Sequence, residues 1–559
     1  MMTPWPVSRL PVRAVLLAAP ALAAGFASAA PAPPPSFPER GHTPKALTPA
    51  EAAWLQENPL LPPAGITPPP SLGIVCPGEY EPMEGIIFAW EGPTAWLNIV
   101  AEMAARVTTA GNALAYIVVD AVNENSAATS AVQSRGGDTS RLRFVSRTID
   151  TIWIRDYGPR YIYEGPAGNQ VRAIVDHTYN RPRPNDDTFN NGWSPFRRHT
   201  YYELPLIHGG GNFHLSSGGI GVAGLGYATR LIVNENPGRT EAFVRQAWLD
   251  YQGLDVTLTD PFPVAVDSTQ HIDMWMQVYA DRGVMISSWE QNRGSTQDRV
   301  CETAATNLAS AGYAVTRVPA RSIGGTHYTY TNVVMCNDLV MIPSYTNSTM
   351  VPLNAVARSA WQAALPGKTI VQIPAQDIVT SAGVLHCIVM HVPRHRGRAE
   401  SAGLAPTVLL KELRGGEVLQ PGAQVAIRWI SDDDESVSSI DVRLSRDGGA
   451  TFTQLLANRV PDTGTFTWTV PQATGGGVRV MVTARDGAGR QTSDASQRNM
   501  FIGTPCAADF NLDELDDLFD YLDFGAAFNA GDRAADLDAN GQVDFFDYLE
   551  FADRFGAGC

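Results

Sequence analysis

Four short polar clusters lie in or beside apolar runs of this chain, and each offers residue types or a backbone shape suited to catalysis. The clusters are WIRDYGP (153–159), GGGNF (209–213), HIDMW (271–275) and LHC (385–387). Asp156 and Asp273 can hold a cationic group, His271 can transfer protons, and Cys387 can attack an electrophilic carbon once it is a thiolate. Taken singly, each has an ordinary structural interpretation, such as a salt-bridged turn for Asp156 or a small core residue for Cys387.

Together, the clusters resemble the Porphyromonas-type peptidylarginine deiminase and agmatine deiminase family of the guanidine-modifying pentein superfamily. The resemblance covers most of residues 73–393. It includes the opening CPGEYEPMEGIIFAW (76–90) and a closing stretch from YTN (330–332) through IPSY (342–345) to LHC. The clusters keep the family's order and separations along this whole range, which a chance match to one motif would not do.

That resemblance implies a fold and a set of roles. The fold is a five-fold pseudo-symmetric α/β propeller, with the active site at its centre and each catalytic residue supplied by a different unit. The catalytic residues implied are Cys387, His271, Asp156 and Asp273. The substrate-binding residues implied are Trp153, Arg181, Arg183 and Asn332. No cofactor is implied for catalysis.

The implied chemistry is hydrolysis of a guanidinium group. This ion is planar and cationic, so two carboxylates, Asp156 and Asp273, are expected to hold it. Cys387 is expected to attack the central carbon as a thiolate, which either the substrate cation or protonated His271 would favour. His271 is expected to protonate the departing ammonia and then to deprotonate the water that hydrolyses the thiouronium intermediate. From arginine, the products are citrulline and ammonia.

The loop YNRPRPNDD (179–187) bears on the substrate. It looks like the peptidylarginine deiminase branch, in which two arginines, here Arg181 and Arg183, receive the α-carboxylate of a C-terminal arginine. A solvated Pro-rich loop is the structural alternative. Agmatine has no carboxylate, so we predict a peptidylarginine deiminase. Deimination of agmatine or free arginine is one alternative, and a catalytically inactive extracellular calcium-dependent scaffold is another.

Two stretches depart from the family pattern. Many relatives have a glycine-rich run before the cysteine, whereas this chain has TSAGVLHC (380–387). Ser268 and Thr269 stand where larger side chains in contact with the substrate are expected. The sequence therefore leaves the shape of the loop around the nucleophile open.

The clusters are set in an alternation of β-rich runs and helical patterns, which is typical of an α/β domain. The β-rich runs are GIIFAW, ALAYIVVD, LIVNE, RGVMISSW and DLVMIPSY, and the clearest helices are AEMAARVTT, RTEAFVRQAWLDY and PLNAVARSAWQAAL. We expect a catalytic domain over residues 72–396. Residues 31–71, rich in proline, are expected to form an extended, partly ordered leader.

Strands and turns alone are predicted between residues 405 and 503. The turn signal DGG (447–449) separates two alternating runs, and Trp429 and Trp468 are core candidates. This pattern predicts an immunoglobulin-like sandwich, although the Cys–Trp–Cys pattern of antibody domains is missing.

The tail, residues 504–559, repeats an acidic loop followed by FDYLDF (519–524) and FDYLEF (546–551), 27 residues apart. The second loop has calcium-loop spacing with Gly541 at the sharp turn, whereas Glu514 replaces that glycine in the first. The expected ligands are Asp536, Asp538, Asn540, Gln542 and Asp547 in the second loop, and Asp509, Asn511, Asp513 and Asp520 in the first. The pair resembles a dockerin-like module, which implies bound Ca²⁺ and a docking partner. An acidic disordered tail is the alternative.

The N-terminus and the overall charge indicate where the protein works. Arg9 and Arg13 precede an apolar run (15–27) and a small-residue cleavage site, so we predict a signal peptide (1–30), a secreted or extracytoplasmic protein and no membrane span. The net charge of −16 over 559 residues disfavours nucleic-acid binding. Cys506 and Cys559 bracket the tail and are expected to form a disulfide in an oxidising compartment.

Overall fold

The structure is a computed structural model that describes residues 33–37, 41–62, 66–218, 223–400 and 403–559. The predicted signal peptide lies outside the described residues. Within these ranges, no helix is long and apolar enough to cross a bilayer. In chain order the molecule comprises a ring of five small sheets, a two-sheet β region and a helical tail.

Five small sheets share one strand pattern. In each sheet, three strands follow the same order: the first runs antiparallel to the second, and the second runs parallel to the third. Sheets 1 and 2 each have one additional strand at an edge, Leu142–Ser146 and Ile74–Val75. The parallel pair requires a crossover, because the chain must return to the starting end of the sheet. The crossover helices of sheets 1 to 5 are Thr94–Thr108, Phe189–Arg197, Glu241–Gln252, Thr296–Ser310 and Val351–Ala364.

The five sheets contain three or four strands each. Sheet 1 contains Val389–Pro393, Met83–Ala89, Leu114–Val119 and Leu142–Ser146, with Asn125–Gln133 as a second helix. Sheet 2 contains Ile74–Val75, Arg160–Glu164, Val171–Tyr179 and Thr200–His208, and sheet 3 contains His214–Ser216, Gly224–Thr229 and Leu254–Thr259. Sheet 4 contains Met276–Ala280, Gly283–Ser288 and Ala314–Pro319, and sheet 5 contains Val334–Cys336, Leu339–Ser344 and Thr369–Pro374. A separate hairpin, Arg321–Ile323 with Thr326–Tyr328, lies between sheets 4 and 5.

The last strand of the catalytic domain closes the ring. Val389–Pro393 pairs antiparallel with Met83–Ala89, so sheet 1 joins the two ends of the domain. The crossover helices bury one apolar face each; in Thr94–Thr108, Val100, Met103 and Val107 are fully buried at helical spacing. Five repeated units closed in this way confirm the expected α/β fold.

One of the predicted strands is a helix. The other four β-rich runs contain strands, but LIVNE forms the short helix Leu231–Glu235. The parallel pair of sheet 3 is already complete in Gly224–Thr229 and Leu254–Thr259. A short apolar run does not distinguish a strand from a buried helical turn by its periodicity, and the prediction failed for this reason.

The Pro-rich leader is more ordered than its composition suggested. It contains the helix Pro49–Glu57, in which the Thr48 side chain accepts the N–H of Glu51 and the Glu51 carboxylate accepts the N–H of Thr48. This reciprocal arrangement is a capping box, and proline suits the first helical position. The expectation of an extended chain was therefore wrong for residues 49–57.

The region after residue 403 forms two sheets around one apolar core. One sheet contains Thr407–Leu410, Gln424–Asp432 and Thr465–Thr469. The other contains Val418–Leu419, Val437–Ser445, Gln454–Val460, Gly475–Asp486, Gln491–Ala495 and Met500–Ile502. Trp429 and Trp468 lie in this core as predicted, and the DGG turn connects an antiparallel pair.

A buried ion pair joins the β region to the ring. Arg172 of sheet 2 donates to both carboxylate oxygens of Asp432, at 2.8 and 2.9 Å. His199 and His395 contact the same carboxylate. Burial alone would raise the pKa of Asp432, but Arg172 and the two histidines hold it well below its usual value. The β region and the ring are thus connected by a pair of charged side chains, Arg172 and Asp432.

The tail contains the helices Leu518–Ala530 and Phe545–Ala557, which pack through stacked Phe524 and Phe551 rings 4.1 Å apart. Cys506 and Cys559 form a disulfide, as the sequence predicted.

Candidate active site

The residues expected to be catalytic lie at junctions that lead into the first strand of a sheet. The short helix Ile154–Tyr157 precedes sheet 2, the turn Ile272–Met274 precedes sheet 4, and the turn His386–Ile388 runs directly into Val389–Pro393. GGGNF precedes sheet 3 and Asn332 precedes sheet 5 in the same way. Equivalent junctions of a closed ring face a common centre, which brings residues far apart in sequence together.

Cys387 is fully buried at this centre. Asn332 Nδ2 lies 3.2 Å from Cys387 Sγ, and Asn332 Oδ1 accepts the N–H of His386 at 2.9 Å. Asn332, expected from the sequence to bind substrate, therefore also fixes the nucleophile and the backbone beside it. The thiol faces a carboxylate oxygen of Asp273 at 3.6 Å. Burial, together with Asp273, raises the pKa of Cys387 to about 12, so the thiol is protonated in this arrangement.

Asp156, Asp273 and His271 surround the space beside Cys387. Asp156 Oδ1 accepts the N–H of Gly211 at 3.0 Å and lies 3.6 Å from His271 Nδ1. Asp156 Oδ2, Asp273 Oδ1 and both ring nitrogens of His271 are buried without a hydrogen-bond partner among the described residues. Buried polar atoms normally have partners, so this unused capacity fits a ligand that carries several donors.

Two glycines give the site its shape. A Cβ on Gly211 would lie 2.7 Å from His271 Nδ1 and 2.9 Å from Asp156 Oδ1. A Cβ on Gly383 would lie 2.5 Å from the Trp153 ring and 3.1 Å from Cys387 Cβ. The loop TSAGVLHC therefore needs its one glycine at the closest approach, and Ala382 before it takes a left-handed conformation with φ 64°.

A chain of hydrogen bonds that the sequence did not reveal supports Asp273. His386 Nδ1 lies 2.9 Å from Asp273 Oδ2, and its Nε2 lies 2.9 Å from Glu79 Oε2. Glu79 pairs with Arg155 at 2.6 Å. Burial would raise the pKa of Glu79, but Arg155 and His386 hold it well below its usual value. The position of His386 next to the nucleophile was the signal available in the sequence.

The leader places Lys45 inside the site. Lys45 Nζ lies 3.0 Å from Cys387 Sγ, 3.5 Å from Asp156 Oδ1 and 3.8 Å from Asp273 Oδ2, and its side chain is fully buried. Burial and the charge of Lys45 lower the pKa of His271 to about 3, so the imidazole is neutral in this arrangement. No sequence motif includes Lys45, and nothing in its immediate sequence distinguishes it from a surface lysine.

The two arginines of the YNRPRPNDD loop also meet the leader. Arg181 Nε donates to the main-chain oxygen of Lys45 at 3.2 Å. Arg183 is fully buried and binds the Glu51 carboxylate through Nε at 2.7 Å and Nη2 at 3.3 Å. Trp153 Nε1 donates to the main-chain oxygen of Thr43 at 2.9 Å. Trp153, Arg181 and Arg183, all expected to bind substrate, thus contact a polypeptide segment. The two arginines are buried, and only Pro184 and Asn185 of the loop are exposed.

The second acidic loop of the tail fits a hard cation. Oxygens of Asp536, Asp538 and Asp547 lie within 4.8 Å of one another. Backbone N–H groups orient them: Asp536 accepts from Asn540 and Gly541, and Asp547 accepts from Leu537 and Asp538. Converging carboxylates of this kind are the ligand chemistry of Ca²⁺.

The first loop has the same backbone orientation despite its missing glycine. Asp509 accepts from the N–H groups of Asp513 and Glu514. Glu514 adopts φ 75°, close to the φ 88° of Gly541, and so takes the left-handed turn that the glycine would have made easier. The N–H of Asn511 in this loop donates to the carboxylate of Asp520, which lies in the first turn of the helix Leu518–Ala530.

Comparison with known proteins places this chain among deiminases. Residues 75–393, more than half of the chain, match the model of the Porphyromonas-type peptidyl-arginine deiminases. A putative agmatine deiminase of Streptomyces coelicolor is 25% identical over 345 residues, covering 57% of this chain and 98% of that protein. The agmatine deiminase of Ectopseudomonas mendocina is 24% identical over 378 residues, covering 59% and 98%. Among solved structures, the putative arginine deiminase from Porphyromonas gingivalis has 18% identity and a TM-score of 0.48, covering 58% of this chain and 100% of that one.

Proposed function

We propose that this chain, which belongs to the Porphyromonas-type peptidyl-arginine deiminase family, converts the arginine of a peptide to citrulline. Like its relatives, it is a hydrolase of the C–N bonds of linear amidines. Cys387 is the nucleophile in this proposal. Asp156 and Asp273 hold the guanidinium, and the products are citrulline and ammonia.

The unpaired oxygens of the two carboxylates support guanidinium binding. Asp156 Oδ2 and Asp273 Oδ1 are buried acceptors without a donor among the described residues. A guanidinium carries five N–H donors in a planar fork and can satisfy both, whereas its positive charge offsets the two buried negative charges. That same charge favours the thiolate of Cys387, whose pKa is raised by burial in the absence of substrate.

His271 is the acid–base group of the proposal. Its neutral imidazole, with a pKa lowered to about 3 by burial and the Lys45 charge, can take up a proton and does not by itself favour the thiolate. Of the two sources of thiolate stabilisation that the sequence suggests, the substrate cation therefore has the better support. His271 takes up the proton that Cys387 gives up, and after the thiolate bonds to the central carbon this proton leaves with ammonia. A water molecule, deprotonated by His271, then releases citrulline and frees the thiol.

One observation supports a peptide substrate: a segment of main chain already lies beside the catalytic residues. The ammonium group of Lys45 lies beside Asp156 and Asp273, and Arg181 donates a hydrogen bond to the main-chain oxygen of Lys45. Arg183 beside it binds a carboxylate. This geometry supports the sequence-based prediction of a C-terminal arginine, whose carboxylate would occupy the same arginine pair.

Relative kcat/KM values for an arginine-terminated peptide and for agmatine test this proposal. One carboxylate bound by charge-assisted hydrogen bonds contributes roughly 1.5–3 kcal/mol, so the peptide should be preferred by about 10- to 150-fold. The ammonia and citrulline released are measured for both substrates. Faster turnover of agmatine than of any peptide would assign the chain to agmatine instead.

We also propose export from the cytoplasm and calcium binding by the tail. The disulfide Cys506–Cys559 supports an oxidising compartment. Asp536, Asp538 and Asp547, together with Asn540 and Gln542, would hold Ca²⁺ in the second loop.

A further inference from the structure

The leader segment, defined as residues 43–57, occupies the place that the proposed substrate needs. Its Lys45 ammonium lies within 3.8 Å of Cys387, Asp156 and Asp273. We propose that the leader segment is an intramolecular inhibitor, which holds Lys45 in the position of the substrate guanidinium and must leave before the enzyme can act. This inference rests on the proposed function, because it takes Asp156 and Asp273 to be the guanidinium-binding pair.

The leader segment uses the substrate's contacts at the main chain as well. Arg181 binds the oxygen of Lys45, Trp153 binds the oxygen of Thr43, and Arg183 reaches the oxygens of the residues on either side of Lys45 at 2.9 and 3.4 Å. The N–H of Lys45 donates to the oxygen of Ser381 at 2.9 Å. The segment therefore lies in the site as a peptide ligand would, with one cationic side chain pointing inwards.

The contact with Asp156 and Asp273 explains why the charged side chain of Lys45 can be buried. A buried ammonium is costly unless it is paired with opposite charge. Burial alone lowers the pKa of Lys45, but Asp156 and Asp273 raise it above its ordinary value, so the ammonium stays charged. The side chain is held by the same electrostatic field that would hold a guanidinium.

Lysine can occupy this position without being consumed. An ammonium has no central carbon for Cys387 to attack, so no C–N bond can be cleaved. It also leaves Asp156 Oδ2 and Asp273 Oδ1 without donors, and a guanidinium can satisfy these. Lys45 is thus an unreactive and weaker occupant than the substrate it resembles.

Glu51 anchors the leader segment at a second point. The Glu51–Arg183 pair is buried on both sides, and the capping box of the helix Pro49–Glu57 fixes the Glu51 carboxylate. If Arg183 also receives the substrate's carboxylate, then Glu51 and that carboxylate compete for one partner. The segment therefore opposes both halves of the proposed substrate, its side chain and its terminus.

The leader segment ends at a stretch that can be cut without disturbing the ring. Leu61 is 74% exposed. Beyond it, Thr67 is tied to sheet 2, since its hydroxyl accepts the N–H of Glu203 at 2.8 Å. The Thr178 hydroxyl of sheet 2 also donates to the main-chain oxygen of Leu61 at 3.4 Å. A cleavage between residues 59 and 60 would therefore separate the segment from the ring and leave the following residues attached.

The first test compares Lys45→Ala with wild type and with Lys368→Ala, a partly exposed lysine that pairs with Asp338 at the surface. Two quantities are measured in the full-length protein: kcat/KM for an arginine-terminated peptide, and the rate at which iodoacetamide alkylates Cys387. If the segment fills the site in nine molecules of ten, removing Lys45 raises kcat/KM by about tenfold, whereas Lys368→Ala changes neither quantity. The alkylation rate also rises, but by less than tenfold, because the Lys45 charge lowers the pKa of Cys387 and its loss leaves less thiolate.

The buried cysteines act as an internal check of folding. Cys76, Cys301 and Cys336 are buried and should stay unmodified in Lys45→Ala. If they react, the variant is unfolded, and a second protein tests the proposal instead. It has a site-specific protease sequence at residues 59–62, and its kcat/KM and alkylation rate are compared before and after cleavage. A peptide of residues 42–58 should then inhibit the cleaved enzyme competitively, and the same peptide with Lys45→Ala should not.

The outcomes separate this inference from the proposed function. Unchanged turnover and alkylation in Lys45→Ala and after cleavage, in a protein that does deiminate peptides, would overturn the inhibitor and leave the function standing. Faster alkylation with no turnover of any guanidine substrate would support the occupancy of the site but contradict the function. A Lys45→Arg protein that converts its own residue 45 to citrulline, detected by peptide mass mapping, would support both.

Discussion

Discrimination between a free and an amidated peptide C-terminus is the sharpest test of the arginine pair. The perturbation is the double change Arg181→Ala with Arg183→Ala. In the structure Arg183 binds a carboxylate through two nitrogens, at 2.7 and 3.3 Å, and Arg181 binds a main-chain oxygen at 3.2 Å. We expect these donors to receive the two carboxylate oxygens of a C-terminal arginine.

The expected magnitude follows from that geometry. Hydrogen bonds to a charged group contribute about 1.5–3 kcal/mol, and an amide retains an oxygen acceptor but loses the charge. Wild-type enzyme should therefore prefer the free terminus by about 10- to 150-fold in kcat/KM, mostly through KM. The double variant should bring this ratio close to one.

The assay measures kcat/KM for one peptide with a free C-terminus and for its amide. The ratio is the useful quantity, because Arg183 also binds Glu51 of the leader segment and the variant would loosen that contact. Both substrates compete with the same segment, so its effect cancels. Arg358→Ala, a change at an exposed arginine outside the site, is the matched control.

Two results would refute the reasoning. Equal kcat/KM for free and amidated peptides in wild type would show that the loop does not bind the terminus. A wild-type preference that survives in the double variant would assign the carboxylate to other residues.

Four further predictions concern the nucleophile, the domain contact, the pH dependence and the tail. Cys387→Ser should abolish deimination with an unchanged melting temperature, since a hydroxyl is far less acidic than a thiol; substantial residual activity would contradict the assignment. Asp432→Asn should lower the free energy of unfolding by at most about 3–5 kcal/mol, measured by denaturant titration, because it removes one of the two carboxylates that pair with the buried Arg172, Glu84 being the other; an unchanged midpoint would count against that contact. Burial raises the pKa of Asp176 to about 7, so the folded protein holds a proton that the unfolded chain releases near pH 4, and stability should fall as the pH rises through that window. Asp176→Asn should remove this pH-dependent part of the free energy of unfolding, which is on the order of 4 kcal/mol at most. If the variant and the wild type show the same dependence of stability on pH, Asp176 is not its source. Calcium should bind the full-length protein by titration calorimetry, and Asp536→Ala should abolish the second-loop site; equal heats in both proteins would reject that loop.

The sequence by itself determined the family, the α/β alternation and the residue types of the chemistry. These features are written in short-range patterns: clusters such as WIRDYGP and LHC, helical and strand periodicity, and the oxygen spacing of the tail loops. The capping box at Thr48 was written in the same way, but the proline content around it obscured the helix.

Tertiary structure alone decided what surrounds the nucleophile. Lys45 and Cys387 are 342 residues apart, and the contact between them exists because the ring closes and the leader crosses its centre. The hydrogen bonds from Asp273 through His386 to Glu79 likewise join three separate parts of the sequence. Contacts of this kind leave no periodic signal along the chain, since each residue is chosen by the charge of distant partners rather than by its neighbours. The sequence therefore predicted which groups could react, and the fold determined that a lysine of the same chain lies between them.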